Sequence, residues 1–303
     1  MSDTKFHEGE RFIQHATGET AQADRTAAVM RETILPAAHS FIHERETIAL
    51  ATRDQAGEIW ASLLWGAPGF VRVDHERKFH IDLARTFKDQ GDPFWDNVKP
   101  GAPIGSLLLD LEHRRRYRIN GEVLNVDESN LAITVRESYP NCPKYIQSRE
   151  LELGAARAQA SQAGTDLLPA HRTWIEQADT FLIASGHPQR GLDASHRGGT
   201  PGFVQFLDDA TIRVPDYQGN TLYNTLGNLH SDPHVGLLFL DFQGGRQLQA
   251  TGRATVHARE AVDTDDAGRT GRWMDIKIHQ WRESDLPVQV RWGASTPSPF
   301  NPA

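Results

Sequence analysis

The chain has 303 residues, of which 38% are hydrophobic and 24% charged, values typical of a soluble globular protein of about two domains. A net charge of -8 disfavours a general nucleic-acid or anionic-membrane binder, because such binding depends on clustered positive charge. Cys142 is the only cysteine, which excludes an intrachain disulfide, and no signal peptide or membrane-spanning run is visible, so we expect a cytoplasmic protein.

The first half of the chain is predicted to be rich in short strands. Residues 1–25 are polar and are expected to form an N-terminal extension, and Thr26–Phe41 predicts a helix interrupted near Pro36. Strands are predicted at Ile48–Leu50, Ile59–Leu64, Phe70–Val73, Lys78–Leu83, Gly105–Leu111, Arg115–Leu124 and Leu131–Val135. We assign residues 26–138 to a first barrel.

A linker over residues 139–165 begins with a turn-rich stretch and continues with a segment of helical composition, Ile146–Ala163, for which we predict a helix. The second half, residues 166–303, repeats the order of the first. It predicts a helix near His171–Gln177 and strands at Thr180–Ala184, Leu192–His196, Gly202–Phe206, Thr211–Val214, Val235–Phe242, Arg246–Val256, Trp273–Trp281 and Val288–Trp292. Many short strands and few helices indicate a mainly β protein built from antiparallel barrels with peripheral helices.

The two halves are copies of one another. Ala51 and Ala184 occupy matching positions at an offset of 133 residues (184 − 51), and the offset also holds for Pro68-Gly69-Phe70-Val71 and Pro201-Gly202-Phe203-Val204. Gly105–Asp110 matches Gly236–Asp241 at an offset of 131 (236 − 105). A period this long exceeds that of a solenoid repeat and indicates a duplicated domain. Because duplicated domains often pack as homodimers do, we expect two tandem barrels in an intrachain pseudo-dimer.

The copies differ after the Ala-Ser pair that both contain. The first has Leu63-Leu64, whereas the second has His196-Arg197. One interpretation is a strand face that is exposed only in the second copy. The other is a pair of donors for an anion, since the planar guanidinium makes bidentate contacts to phosphate.

Two further differences concern a loop and a strand. The second copy carries a Gly-, Asn- and Thr-rich loop over residues 215–229, which suits either a plain turn with a helix cap or a helix N-terminus near Thr221 that binds an anion. Arg246-Gln247 occupies the positions of Arg115-Arg116 in the first copy. The basic run Arg114–Arg118 is interpreted as the solvated face of a strand.

Together these features resemble the FMN-binding split-barrel family that includes pyridoxamine 5′-phosphate oxidase. The resemblance rests on His196-Arg197, the loop 215–221, Asp232–Phe239 and Gly245–Gly252, in the order and approximate spacing of the family. The segments 195–199 and 141–147 resemble the two-barrel, FMN-dependent branch. The C-terminal substrate motif of the oxidases is absent, which argues against pyridoxamine phosphate as the substrate.

The resemblance implies FMN as the cofactor, held between the barrels. By position, Arg197, Asn220 and Thr221 would hold the phosphate, Pro215 would lie by the ring or ribityl chain, and Gln247 would contact the ring. The remaining cofactor-binding candidates are Ser195, His196, Asn224, Asn228 and, from the linker, Lys144. We predict one cofactor per chain, because Leu63-Leu64 should spoil the mirror-image site. The catalytic residues are not identifiable from the sequence.

No HExxH motif or cysteine cluster occurs, so no metal is expected. Cys142 has no paired base in the sequence and is expected to be a packed or half-exposed thiol. Two functions remain open, beside a structural pseudo-dimer that has lost any ligand. The first is an FMN-dependent oxidoreductase that acts on a small organic substrate with a nicotinamide or other electron donor. The second is a non-catalytic flavin, haem or deazaflavin carrier. Either would act as a monomer with an internal pseudo-dimer or as a homodimer, without nucleic-acid or membrane partners.

Overall fold

Two antiparallel sheets, one from each half of the chain, form most of the structure, as the strand pattern predicted. The structure is a computed structural model and describes residues 5–258 and 270–302. The first half contains helices α1 (Glu8–Thr17), α2 (Thr20–Thr26), α3 (His39–His43) and α4 (Phe94–Asn97), and strands β1 (Thr47–Arg53), β2 (Ile59–Gly66), β3 (Val71–His75), β4 (Lys78–Asp82), β5 (Thr86–Phe87), β6 (Pro103–Asp110), β7 (Arg115–Val126) and β8 (Asn130–Asn141).

The second half repeats this arrangement after two short strands. It contains β9 (Leu151–Ala156), β10 (Ser161–Gly164), α5 (Pro169–Gln177), β11 (Thr180–His187), β12 (Gly191–Gly198), β13 (Gln205–Phe206), β14 (Thr211–Pro215), α6 (Asn224–Ser231), β15 (His234–Asp241), β16 (Arg246–His257), β17 (Trp273–Asp285) and β18 (Val288–Trp292). In the part of the chain that the structure describes, no helix is long and apolar enough to cross a membrane.

The two sheets have the same strand order. The first runs β3-β4-β8-β7-β6-β1-β2-β5, and the second runs β13-β14-β17-β16-β15-β11-β12. Each strand of the second sheet stands where its sequence copy stands in the first, so the duplication extends from sequence to topology. Each sheet encloses its own apolar core, which includes Phe79 and Ile133 in the first half and Phe239 and Ile276 in the second.

A third apolar cluster joins the two barrels. It contains β1 and β2 residues such as Ala49 and Ala61 together with their copies on β11 and β12, Leu182 and Ala194. Burial of this shared surface removes apolar area from water and holds the barrels face to face. The intrachain pseudo-dimer expected from the repeat is therefore the arrangement observed.

Two equivalent glycines permit the closest approach of the barrels. A Cβ atom on Gly105 of β6 would lie 2.6 Å from the Leu192 carbonyl oxygen on β12. A Cβ atom on Gly236 of β15 would lie 2.7 Å from the Ile59 carbonyl oxygen on β2. These distances are too short for a carbon atom, so only glycine fits at either position.

Two of the predicted elements are wrong. The linker helix predicted for Ile146–Ala163 is absent, because β9 pairs with β18 and β10 pairs with β17. Helical composition is a weak preference that backbone pairing with the C-terminal strands overrides. The interrupted helix predicted over Thr26–Phe41 is wrong over most of its length. The segment after α2 contains two 3₁₀ turns and the start of α3, and Arg31 between them makes an isolated bridge to Ser138.

The glycine contacts predict the effect of added methyl groups. We expect Gly105→Ala and Gly236→Ala each to lower the free energy of unfolding by about 1–3 kcal/mol, because the barrels must separate to admit the new atom. Chemical denaturation measures this. Gly219→Ala is the control, since its Cβ would meet only the Tyr217 carbonyl oxygen at 3.9 Å. Equal stability of all three variants would contradict the close approach.

Candidate functional site

A crevice between the two barrels is the candidate site. Its second-barrel wall is formed by the end of β12 and the loop that leads into α6, and its first-half wall by β7 and residues 141–145. It encloses about 880 Å³, part of which is open to solvent. Small-molecule sites frequently lie in crevices of this kind between domains.

Eight of the ten cofactor-binding residues predicted from the sequence line this one crevice. They are Lys144, Ser195, His196, Arg197, Pro215, Asn220, Thr221 and Asn224. The linker therefore does reach the second barrel, as proposed for Lys144, whose Nζ donates to the Gln218 carbonyl oxygen at 3.4 Å. That these residues bind a cofactor stays a prediction.

The structure does not bring the other two residues into the crevice. Gln247 is buried on the opposite side of the barrel contact, where its amide donates to Asp89 Oδ2 at 3.2 Å and to Ser284. The prediction that Gln247 contacts a ligand in this crevice is therefore corrected, because its side chain lies elsewhere. Asn228 is buried behind the crevice and donates to Asp193 Oδ2 at 2.7 Å.

Two first-barrel arginines stand in the crevice instead. Arg116 is the sequence equivalent of Gln247. Arg118 follows Arg116 by two residues and therefore lies on the same face of β7. Arg118 is 4% exposed and donates to Tyr139 Oη at 2.8 Å, to the Ala194 carbonyl oxygen at 3.1 Å and to Ser195. The interpretation of Arg114–Arg118 as a solvated face is therefore wrong for these two side chains.

Positive charge is concentrated in the crevice. Among the described residues Arg116 has no carboxylate partner, and it donates to the Cys142 carbonyl oxygen at 3.0 Å. Burial lowers the pKa of the Arg116 guanidinium to about 10, and the neighbouring Arg118 and Arg197 add to the shift. Burial, with Arg116, Arg197 and Arg149 nearby, holds the pKa of His196 well below its usual value. His196 is accordingly a neutral imidazole beside several cations.

Several buried donors of the crevice have no hydrogen-bond partner among the described residues. They are Arg118 Nε, Asn141 Nδ2, His196 Nε2 and Arg197 Nε. Buried polar atoms are nearly always paired in folded proteins, so a group of unpaired ones requires an explanation. A ligand with several acceptor oxygens and negative charge would supply the missing partners and would give Arg116 a counter-charge.

The loop before α6 adopts an uncommon backbone conformation. Thr221 and Tyr223 have φ values of 64° and 62°, a region that residues other than glycine rarely adopt. Asn220 Oδ1 accepts from the Leu222 amide at 3.1 Å and thereby holds the turn. As a result Thr225 and Leu226, in the first turn of α6, line the crevice. The amides of a first helical turn have no partner within the helix and favour an anion.

The opposite lip of the crevice is tied to this loop by the linker. Tyr145 Oη donates to the Gln218 carbonyl oxygen at 3.0 Å, and the Tyr145 and Tyr217 rings lie 5.0 Å apart at 48°. Both tyrosines line the crevice together with Cys142, which is half-buried as expected. These contacts place aromatic faces beside the cationic group.

The N-terminal segment packs against the back of the site. Helix α1 lies on α6, with Gly9 so close to Gly227 that a Cβ atom would lie 2.2 Å from its carbonyl oxygen. Glu10 accepts from Asn224 Nδ2 at 2.6 Å. Burial raises the pKa of Glu10 to about 8, so this carboxyl is mostly neutral at pH 7. The N-terminal extension expected from the sequence thus contributes to the site, since Glu10 fixes the side chain of Asn224.

At the mirror image of Arg116 and Arg118, a carboxylate lies among the polar side chains. Arg282 donates to both oxygens of Asp89, at 2.6 and 2.7 Å, and Ser284 donates to Asp89 at 2.9 Å. Gln249, the equivalent of Arg118, donates to the Ala61 carbonyl oxygen at 2.9 Å, just as Arg118 donates to that of Ala194. The side chain-to-backbone hydrogen bond between the barrels is thus the same at both positions, but the donors around Asp89 already have partners.

The fold is therefore one of tandem split β-barrels with a polar crevice between them. Residues 167–288 match the family model described as "Pyridoxamine 5′-phosphate oxidase". The resemblance predicted from the sequence is thus confirmed, and the match lies in the second half of the chain. No curated protein matches the sequence.

Three of the solved structures that are similar to this chain each align with less than half of it. HupZ from Group A Streptococcus is 12% identical and the alignment covers 37% of this chain and 90% of its own, with a TM-score of 0.30. An FAD-binding protein from Mesorhizobium loti is 12% identical, with coverages of 41% and 96% and a TM-score of 0.27. The haem storage protein HutZ from Vibrio cholerae is 13% identical, with coverages of 45% and 99% and a TM-score of 0.27.

The ion pair at the mirror-image position predicts a large loss of stability. We expect Asp89→Ala to cost about 3–5 kcal/mol of unfolding free energy, because it leaves Arg282 buried without a counter-charge. Glu152→Ala is the control, since its pair with Arg291 is exposed and should contribute under about 1 kcal/mol. Thermal and denaturant unfolding of both variants measures the difference, and equal losses would show that the Asp89 pair is not buried in solution.

Proposed function

We propose that the crevice binds FMN and that the protein is an FMN-dependent oxidoreductase acting on a small organic substrate other than pyridoxamine 5′-phosphate. The observation that carries the proposal is the group of unpaired buried donors on Arg118, Asn141, His196 and Arg197, in a crevice of a split barrel whose family resemblance implies a flavin. A flavin nucleotide combines a phosphate with a ring system that carries several acceptor atoms, which suits these donors.

The residues divide into an anion-binding part and a ring-binding part. Arg197, with Arg116 and the first turn of α6, would hold the phosphate, and Asn220 and Thr221 shape the loop that presents those amides. The neutral His196 and the amide of Asn141 would donate to ring or ribityl oxygens.

The protein side of the chemistry is binding, orientation and exclusion of water. The barrel contact closes the crevice from behind, where Leu107 of β6 lines it, and the two tyrosines Tyr145 and Tyr217 cover one lip. When bound, FMN would supply hydride or electron transfer, with a nicotinamide or other donor as the source of electrons. The catalytic residues, if any, would be among the side chains that face the ring.

FMN titration of variants tests the anchor. We expect Arg197→Ala and Arg116→Ala each to weaken FMN binding about 10–100-fold, as expected for the loss of a charge-assisted hydrogen bond. Arg291→Ala is the control, because this arginine is exposed and pairs with Glu152 away from the crevice. Flavin fluorescence quenching measures the affinities. Unchanged affinity in both crevice variants would overturn the assignment of the phosphate site.

Flavin content and turnover test the oxidoreductase. We expect one FMN per chain, because the mirror-image donors are already paired, and we expect a nicotinamide to reduce the bound flavin with reoxidation by an added acceptor. The absorbance spectrum before and after the nicotinamide measures both. Two flavins per chain would contradict the asymmetry. A flavin that is bound but never reduced would favour the carrier function instead.

A further inference from the structure

A second cavity lies between the barrels and shares no lining residue with the first. It is formed by β1, β2 and β6 of the first barrel and by β11 and β15 of the second, and it is closed on one side by Leu151 of β9 and Trp292 of β18. It encloses about 750 Å³, part of it open to solvent. The cavity does not depend on the crevice proposed for FMN.

The walls of this cavity are mostly apolar and come from both barrels. They include Ala49, Leu63, Leu109, Leu182, Leu238 and Leu240. Several of these side chains belong to the apolar cluster that joins the barrels. An occupant would therefore bury most of its own surface against hydrocarbon, which selects an apolar molecule.

Four residues of the lining carry buried polar atoms without a hydrogen-bond partner in the described parts of the chain. They are Trp65 Nε1, Trp292 Nε1, Arg149 Nη1 and Thr180 Oγ1. Trp65 is fully buried, and its ring meets that of Trp292 edge to face at 6.1 Å. Both indole groups and the guanidinium can only donate, so the occupant must offer acceptors.

Both arginines that line the cavity are already paired with carboxylates. Arg149 Nη2 donates to Asp179 Oδ2 at 2.5 Å, which leaves Nη1 as a donor without surplus positive charge. Asp110, on the rim, pairs with Arg45 at 3.1 Å. Burial raises the pKa of Glu46, another lining residue. Among the residues that the structure describes, a further negative charge would find no free cation here, in contrast to the first crevice.

We propose that this cavity binds an uncharged, apolar small molecule that carries one or two carbonyl oxygens. The apolar walls supply the affinity, and the indole N–H groups of Trp65 and Trp292, together with the Arg149 guanidinium, supply the donors that select a carbonyl over a plain hydrocarbon. The site adds to the proposed flavin function and stands without it.

Three probes of one ring size test the ligand class on the full-length wild-type protein. They are 1-indanone, which has a carbonyl, indane, which has none, and 1-indanecarboxylate, which is charged. We expect 1-indanone to bind once per chain and about tenfold or more tighter than indane, measured by calorimetry or ligand-observed NMR. No binding of 1-indanone, equal binding of indane, or tighter binding of the carboxylate would each overturn the proposal.

Donor-deleting variants locate the site. We expect Trp65→Phe and Trp292→Phe to reduce the preference for 1-indanone over indane about two- to tenfold, because each loses one N–H donor but keeps an aromatic wall. Trp60→Phe is the matched control, since its Nε1 donates to Asp54 at 3.1 Å and it does not line the cavity. An unchanged preference in both cavity variants would overturn the placement.

FMN titration of the same variants separates the two proposals. Because Trp65 and Trp292 do not line the first crevice, their FMN affinity should stay within about twofold of wild type. If one variant does not fold, the other variant and the comparison of probes on the wild-type protein still decide the outcome. Failure of FMN binding in the wild-type protein would leave this test unaffected.

Discussion

The face-to-face contact between the two barrels is the constraint on which the rest of the structure depends. It requires a bare backbone at Gly105 and Gly236, where a single methyl group would collide with the facing strand. Because of this approach, β7 of the first barrel comes within hydrogen-bond distance of β12 in the second, as the contacts of Arg118 with Ala194 and Ser195 show. Neither candidate pocket exists within one barrel. Both are spaces that remain when the two curved sheets meet.

Within this nearly two-fold framework, electrostatics separates the two ends. Where the second copy has His196 and the first barrel offers Arg116, this arginine has no carboxylate partner among the described residues, and several buried donors stay unpaired. At the mirror-image position the corresponding residues are Leu63 and Gln247, and the Asp89 carboxylate satisfies the donors around it. The duplication thus gave both ends of the barrel contact the same backbone geometry. A few substitutions suit the crevice end to an anion, whereas the donors at the Asp89 end are already paired within the protein.

The candidate site could be predicted in part. The loop and strand of the second copy were identified because Arg197 and Asn220 depart from their counterparts in the first copy, and departures between copies are visible in one sequence. Arg118 was not identified, because a basic residue on an alternating strand is ordinarily solvated. Arg118 is buried because the second barrel covers it, and no local sequence pattern indicates that contact. The linker strands were missed for the same reason, since β9 is defined by its pairing with the C-terminal β18.

The sequence alone determined the duplication, the mainly β character, most strand positions and the resemblance of the second copy to a flavin-binding family. These properties are local, because alternation, turn residues and matched motifs are carried by neighbouring positions. Only the tertiary structure decided that Arg116 rather than Gln247 faces the crevice, and that a second, donor-lined cavity lies beside Trp65. Those facts depend on which strands of the two barrels meet, and contacts between residues 76 or more positions apart leave no periodic trace in the chain.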